Sequence, residues 1–277
     1  MRNVTKSHNL KKLKGNNSFI AILKQIYHNN KLYKINNSDS CVEEDYGKVV
    51  SWEDLNIDGV LNVSFSEYNH FSTIDPESAG KIAVANAVRS VRCAGANAIG
   101  VMIKNTFSTN SDLLPFSVSL NKSQDIAIKH FELNILSKSI NLDSKIISQD
   151  IAVIGKISDK NNCLYPGFKK TDHFISILGS HRGELVGSVF QKCFPNSVGQ
   201  HPVTIDLDIE NKLGEVIQLG IESRLIQTAT NVGRGGLSAA ISANLITAPD
   251  KFGARIYLSR KLKPEELLFG ETHGLVV

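Results

Sequence analysis

The sequence predicts an α/β fold of mixed, α+β character, on three observations. Segments with the two-residue period of half-buried strands alternate with segments of helical period in both halves of the chain. Asp75-Pro76-Glu77 supplies an N-cap acceptor, a proline for the first turn and an acid near the positive end of a helix. Val84, Ala87, Val88 and Val91 then share one face. At Asn231–Ile246, a short apolar segment (Leu225–Ala229) runs into Gly235 and Gly236. Apolar or small residues follow at helical spacing: Leu237, Ala240, Ile241 and Leu245.

In order, the chain begins with a basic arm, followed by one apolar helix face at Phe19, Ile22, Leu23, Ile26 and Tyr27 and a polar linker over Asn36–Asp45. Gly59–Phe65 alternates as a strand. The Asp75 helix stops at Gly95, with Lys81 and Arg92 on a side read as solvated. Asn97–Ile103 reads as a buried strand, and Ser123 as the cap of a helix whose apolar side includes Ile126, Ala127 and Phe131. Ile151–Ile157 and His173–Leu178 are strand-like, separated by the loop Ser158–Thr171. Asp208 is read as the cap of a helix carrying Leu213, Val216, Ile217 and Ile221, Ala254–Leu258 as a strand, and Leu275–Val277 as the beginning of one.

Composition bounds the function. The 277 residues suffice for two modest domains, and 42% hydrophobic with 21% charged residues is ordinary for a soluble protein. No apolar run approaches the roughly 20 residues of a membrane span. Cys41, Cys93, Cys163 and Cys193 are scattered without a C-x-x-C pair, which predicts reduced thiols in a cytoplasmic protein and no metal site. Residues 1–38 hold eight Lys or Arg and no acid, leaving a slightly acidic body. The arm is rich in Asn and lacks interleaved aromatics, so it reads as a solvated leader, and no nucleic-acid or membrane partner is expected.

The glycine turn admits two readings. A strand, a glycine turn and a helix bring bare N–H groups to a helix N-terminus, where a phosphate or carboxylate binds readily. The simpler reading is a tight turn that lets helix and strand pack and binds nothing.

Five pieces together resemble the large-subunit type of phosphoribosylformylglycinamidine synthase, in the aminoimidazole ribonucleotide synthetase (PurM-like) superfamily. They are D-P-x-x-A-G-K-I-A-V-A-N-A-V-R-S-V (75–91), F-K-K-T-D-H-F-I-S-I-L-G (168–179), R-G-E-L-V-G-S (182–188), R-G-G-L-S-A-A-I (234–241) and L-F-G-E-T-H-G (268–274). They cover about residues 55–277 in the family's order and match one half of that enzyme, the second. N-H-F-S-T-I-D-P (69–76) is also similar to a segment of the first, catalytic half. The resemblance implies a basic leader, helix and linker over 1–46, a PurM-like N-terminal domain over 47–157, and an incomplete C-terminal one over 158–277. It implies ATP-dependent conversion of formylglycinamide ribonucleotide to its amidine in purine synthesis, with ATP and magnesium as cofactors and ammonia delivered by a glutaminase partner.

By the same resemblance the site residues are His70 for proton transfer, and Gly235, Gly236, Arg234, Glu271 and Asp75 for nucleotide or phosphate. The departures fall on charged positions. Where the family's turn resembles A-H-D-x-S-D-G-G-L, this chain has Thr230, Asn231 and Arg234 in place of the His and both acids. Asn86 replaces a Glu, Ala243 an acid, Ile103 a metal-handling residue, Leu275 an Arg, and Tyr68 the His that would pair with His70. Acids that hold magnesium serve a site and not a fold, so losing them while the glycines persist predicts a retained scaffold. Two function classes therefore stand: a half-synthase completed by another chain, and a catalytically inactive relative acting as a binding or structural subunit. Pairing as a homodimer, or with another PurM-like half, is expected from the superfamily's sheet-to-sheet association.

Overall fold

The structure is a computed structural model that describes residues 60–66, 71–143, 145–195, 203–257 and 261–277. The leader with its helix face, the linker Asn36–Asp45, and His70 all lie outside the described residues. Four strands, β1 (Val60–Ser66), β2 (Asn97–Ser108), β3 (Asn134–Asp143) and β4 (Ser148–Ile157), form one sheet in the order β1-β4-β2-β3. β4 runs antiparallel to both β1 and β2, whereas β2 and β3 are parallel. A parallel pair needs a crossover, and helix α2 (Leu114–His130) supplies it.

Helix α1 (Pro76–Cys93) is the central element. Asp75 Oδ1 accepts the Ser78 N–H at 3.0 Å, Pro76 sits in the first turn, and Gly95, at φ 85°, stands just past the end. Ala79, Ile82, Ala83, Val84, Ala85, Ala87, Val88 and Val91 are all within 1% of full burial, far more than one face, because sheet, α2 and a later helix all pack on α1. A Cβ at Gly80 would lie 2.0 Å from Ser123 Oγ and 2.6 Å from the Leu120 carbonyl oxygen, so that glycine sets how closely α1 and α2 approach.

Several sequence expectations need correcting. Ser123 does not cap a helix: it lies inside α2 with its hydroxyl 3.1 Å from the Pro76 carbonyl, at that close crossing. α2 starts nine residues earlier, at a proline-containing first turn. Asp206, not Asp208, caps the helix α4 (Leu207–Glu222), accepting from the N–H groups of Asp208 and Ile209 at 2.9 and 3.1 Å. Val216 is 50% exposed, whereas Leu213, Ile217 and Ile221 are buried. Arg92 is not simply solvated. It lies over the Phe131 ring, donates to the Glu210 carbonyl at 3.1 Å and to Asn211 Oδ1 at 2.9 Å, and its burial lowers its pKa.

After a 3-10 turn (Lys160–Asn162), the second half carries α3 (Val189–Cys193), α4, α5 (Gly236–Ile246) and α6 (Pro264–Phe269). His173–Leu178 is not a strand. Only Leu178 makes a bridge, to Val276, and Val276 also bridges Asn231. Ala254–Tyr257 has no strand structure either, and Leu258 lies outside the described residues. Extended backbone needs a neighbour on its edge to become a ladder, and these segments lack one among the described residues. The bridged residues still form a thin layer. Leu178, Ile226, Ala229 and Val276 pack on Leu213, Ile217 and Ile221 of α4, while Val277, Leu275 and Val232 pack on Leu237, Ala240 and Ile241 of α5.

Candidate functional site

The turn before α5 is built as a left-handed pair, Gly235 at φ 81° and Gly236 at φ 67°. Side chains disfavour that region, and a Cβ on Gly236 would come within 2.8 Å of backbone atoms of Leu268, Phe269 and Gly270. The close approach brings the segment after α6 against the turn, and with it Glu271. Glu271 Oε1 accepts the Gly235 N–H at 2.8 Å and the Val189 N–H, at the start of α3, also at 2.8 Å. The anion expected at this helix N-terminus is thus the protein's own carboxylate.

Glu271 is 4% exposed, and its second oxygen, Oε2, is buried with no hydrogen-bond partner. Burial pushes its pKa above the usual carboxyl range, against the opposing pull of the Gly235 and Val189 N–H groups and of the Arg234 and Lys192 charges. Arg234 itself is exposed. Of the expected residues, the structure therefore brings together Gly235, Gly236 and Glu271, with Arg234 at the rim. Asp75 is committed to capping α1. Phe71, whose carbonyl accepts the Asp75 N–H, packs on Gly187, beside the α3 start, so the Asp75 end of α1 borders the site without adding its carboxylate to the Glu271 bonds.

A second cluster, which sequence reasoning did not single out, lies between α1, α4 and the Asn231 segment. Arg89, 2% exposed, donates through one terminal nitrogen to Glu210 Oε1, through the other to Asn86 Oδ1 at 2.8 Å, and through Nε to Asn231 Oδ1 at 2.7 Å. Asn231 Nδ2 in turn reaches Asn86 Oδ1 and Ser90 Oγ at 2.8 and 2.9 Å. Asn86 and Asn231 stand where the resembled family carries acids. Here two neutral amides and one carboxylate surround one guanidinium, a set with balanced charge. The available signal was Arg89 inside the matched A-N-A-V-R-S-V piece, with an acid in the first turn of the helix after Asp206.

Other departures are absorbed in the same way. Thr230 and Asn244 hydrogen-bond each other at 2.8 Å through Asn244 Nδ2, and Asn244 Oδ1 also accepts the Gly167 N–H at 3.0 Å. Ile103 and Leu275 are core residues, 2% and 0% exposed. Among the described residues no group of three or more His, Cys, Asp or Glu could hold a metal ion. Asp75 and one oxygen of Glu271 accept backbone N–H groups and Glu210 pairs with Arg89, so these residues do not fit the magnesium–ATP set that the resemblance implies.

No family model matches the chain. It is 31% identical over 210 residues, 73% of this chain, to phosphoribosylformylglycinamidine synthase subunit PurL of Caldanaerobacter subterraneus subsp. tengcongensis. The chain spans 28% of that relative's length. PurL of T. maritima, solved complexed with ATP, superposes with a TM-score of 0.61 at 16% identity, covering 78% of this chain and 35% of that one. AaThiL, complexed with AMPPCP and TMP, superposes at 0.50 and 15% identity over 98% of this chain and 86% of the other. The architecture is thus that of a PurM-like α/β protein. Its sequence is that of a divergent PurL-like chain.

Proposed function

We propose that this chain is a PurL-like subunit that serves amidine formation in purine biosynthesis as a structural and binding partner, and does not by itself carry ATP-dependent chemistry. The observation that supports the reading is the Arg89–Glu210–Asn86–Asn231 network. It fills the place of metal-handling acids with a closed, charge-balanced set. A network whose members already satisfy one another gains nothing by opening toward a cation. The curated relative is itself named a subunit, which agrees with a role inside an assembly.

The same reading divides the chain at about residue 158, places it in the cytoplasm, and gives it a homodimer or a second PurM-like half as partner. A glutaminase serves the assembly. No helix among the described residues is long and apolar enough to cross a membrane.

The test is titration calorimetry of the purified chain with ATP, with and without magnesium, alongside a phosphate-release assay. We expect neither magnesium-dependent binding nor turnover. Magnesium-dependent binding near the micromolar range, about −8 kcal/mol, overturns the proposal in favour of a working synthase half.

A further inference from the structure

Where the end of α2 meets the start of α4, one imidazole stands between two partners. His130 is the last residue of α2 and is partly exposed. Its Nε2 lies 3.1 Å from Asn211 Nδ2 and 3.6 Å from Asp208 Oδ1. Asp208 and Asn211 stand one turn apart on the same face of α4, so a small swing of the ring reaches either. The contact joins the two halves of the chain, because α2 is the crossover of the four-stranded sheet and α4 belongs to the second half.

The Asn211 amide decides which proton the imidazole carries. Arg92 Nη2 donates to Asn211 Oδ1 at 2.9 Å, and a guanidinium has donors only. The amide oxygen therefore faces Arg92, and the amide nitrogen, itself a donor, faces His130. Nε2 must then accept, which makes the ring neutral with its proton on Nδ1. A proton added at Nε2 sets N–H against N–H and ends the Asn211 bond. Asp208, exposed and near, supplies a counter-charge to the protonated ring, and the C-terminal end of α2 favours a cation. Two cations oppose it. Lys129 precedes it on α2, and Arg92 lies 5.6 Å over the Phe131 ring, which meets the imidazole at 5.4 Å and 87°. The Glu210 carboxylate is held by Arg89.

We propose that His130 is a proton-operated pin between the two halves. Neutral, it accepts from Asn211. Protonated, it releases Asn211 and pairs with Asp208, one turn nearer the start of α4. The released amide keeps its bond from Arg92, so the change stays at this contact and the Arg89 network remains closed. The proposal is independent of whether the chain binds nucleotide.

The test is nitrogen-15 NMR of the full chain at about pH 8 and about pH 5, on either side of the range in which imidazole titrates. The His130 signal is assigned as the one lost in His130→Gln. At the higher pH it should show the Nδ1–H tautomer, whereas an imidazole in water carries its proton mainly on Nε2. At the lower pH both nitrogens should be protonated. Double-mutant cycles read by urea unfolding then locate the partner. His130→Ala with Asn211→Ala should couple by about two- to fivefold in the unfolding equilibrium constant at the higher pH and lose that coupling at the lower. His130→Ala with Asp208→Ala should couple by about two- to fivefold at the lower pH only. An Nε2–H tautomer at the higher pH, an imidazole in one protonation state throughout, or couplings that keep the same partner at both pH values overturns the proposal.

Discussion

Glu210→Gln tests whether the buried network holds the two halves together. The side chains of Arg89 and Glu210 are 2% and 3% exposed, so neither charge has water to fall back on. Glutamine keeps the shape and one acceptor but leaves the guanidinium without a counter-charge. Its other bonds, to Asn86 and Asn231, are to neutral oxygens. Removing one partner of a buried pair costs about 3–5 kcal/mol, chiefly because the other charge stays buried. For a urea slope of about 1–3 kcal/mol/M, this shifts the unfolding midpoint down by about 1–5 M, read by circular dichroism. The double variant Arg89→Met with Glu210→Leu should recover most of that loss, since no charge is then stranded. A Glu210→Gln protein within about 1 kcal/mol of the parent refutes the reasoning, because the pair would then behave as a surface ion pair.

Three further outcomes are expected. Glu271 holds its proton more tightly in the folded state than in the unfolded chain, because burial raises its pKa. The contribution of Glu271 to stability is therefore fully present below the ordinary carboxyl range and is lost as pH rises through that range to the raised value. Glu271→Gln should flatten that decline in thermal midpoints measured against pH, and an unchanged slope counts against the assignment. Gly80→Ala should cost about 1–3 kcal/mol by overpacking the crossing with Ser123 and Leu120, measured by chemical unfolding; a neutral result would mean the helices separate freely. Cys193 is exposed, whereas burial pushes the Cys93 thiol up to about 12. Mass-resolved alkylation of the native protein should therefore label Cys193 and leave Cys93 until denaturant is added.

The first half was more legible than the second, for a physical reason. α1, β2 and β4 announce themselves because each buries apolar residues at its own period, and α1 also carries a cap and a stop. β3 was missed because N-I-L-S-K-S-I-N-L-D is an edge strand with Ile135, Ile140 and Leu142 exposed, so no inward face imposes a clean pattern. In the second half, His173–Leu178 has strand composition, yet strandness depends on a neighbour that local sequence does not encode. The α4 cap slipped by two residues because Asp206 and Asp208 both precede the apolar run, and only backbone geometry selects between them.

At the site, what the sequence carried was the identity of the lost residues, and what it lacked was their new partners. Asn86 and Asn231 are 145 positions apart, and read singly each is only an acid gone missing. In space both accept hydrogen bonds from the same guanidinium, and Asn231 donates to Asn86. With Glu210 already facing Arg89, two further carboxylates at positions 86 and 231 would place excess negative charge around one buried cation. Such a set needs a metal or other cations to be stable, while the two amides make it self-sufficient. Asn231→Asp alone would restore an acid yet lose the donor that holds Asn86 and Ser90. Reversion at one position therefore strands a carboxylate without recreating a metal site, so the two amides are coupled through Arg89. The glycine turn obeys the same logic, for Glu271 supplies the anion that its bare N–H groups attract. A scaffold whose polar positions satisfy one another internally can keep its glycines and its core without a ligand to stabilise it.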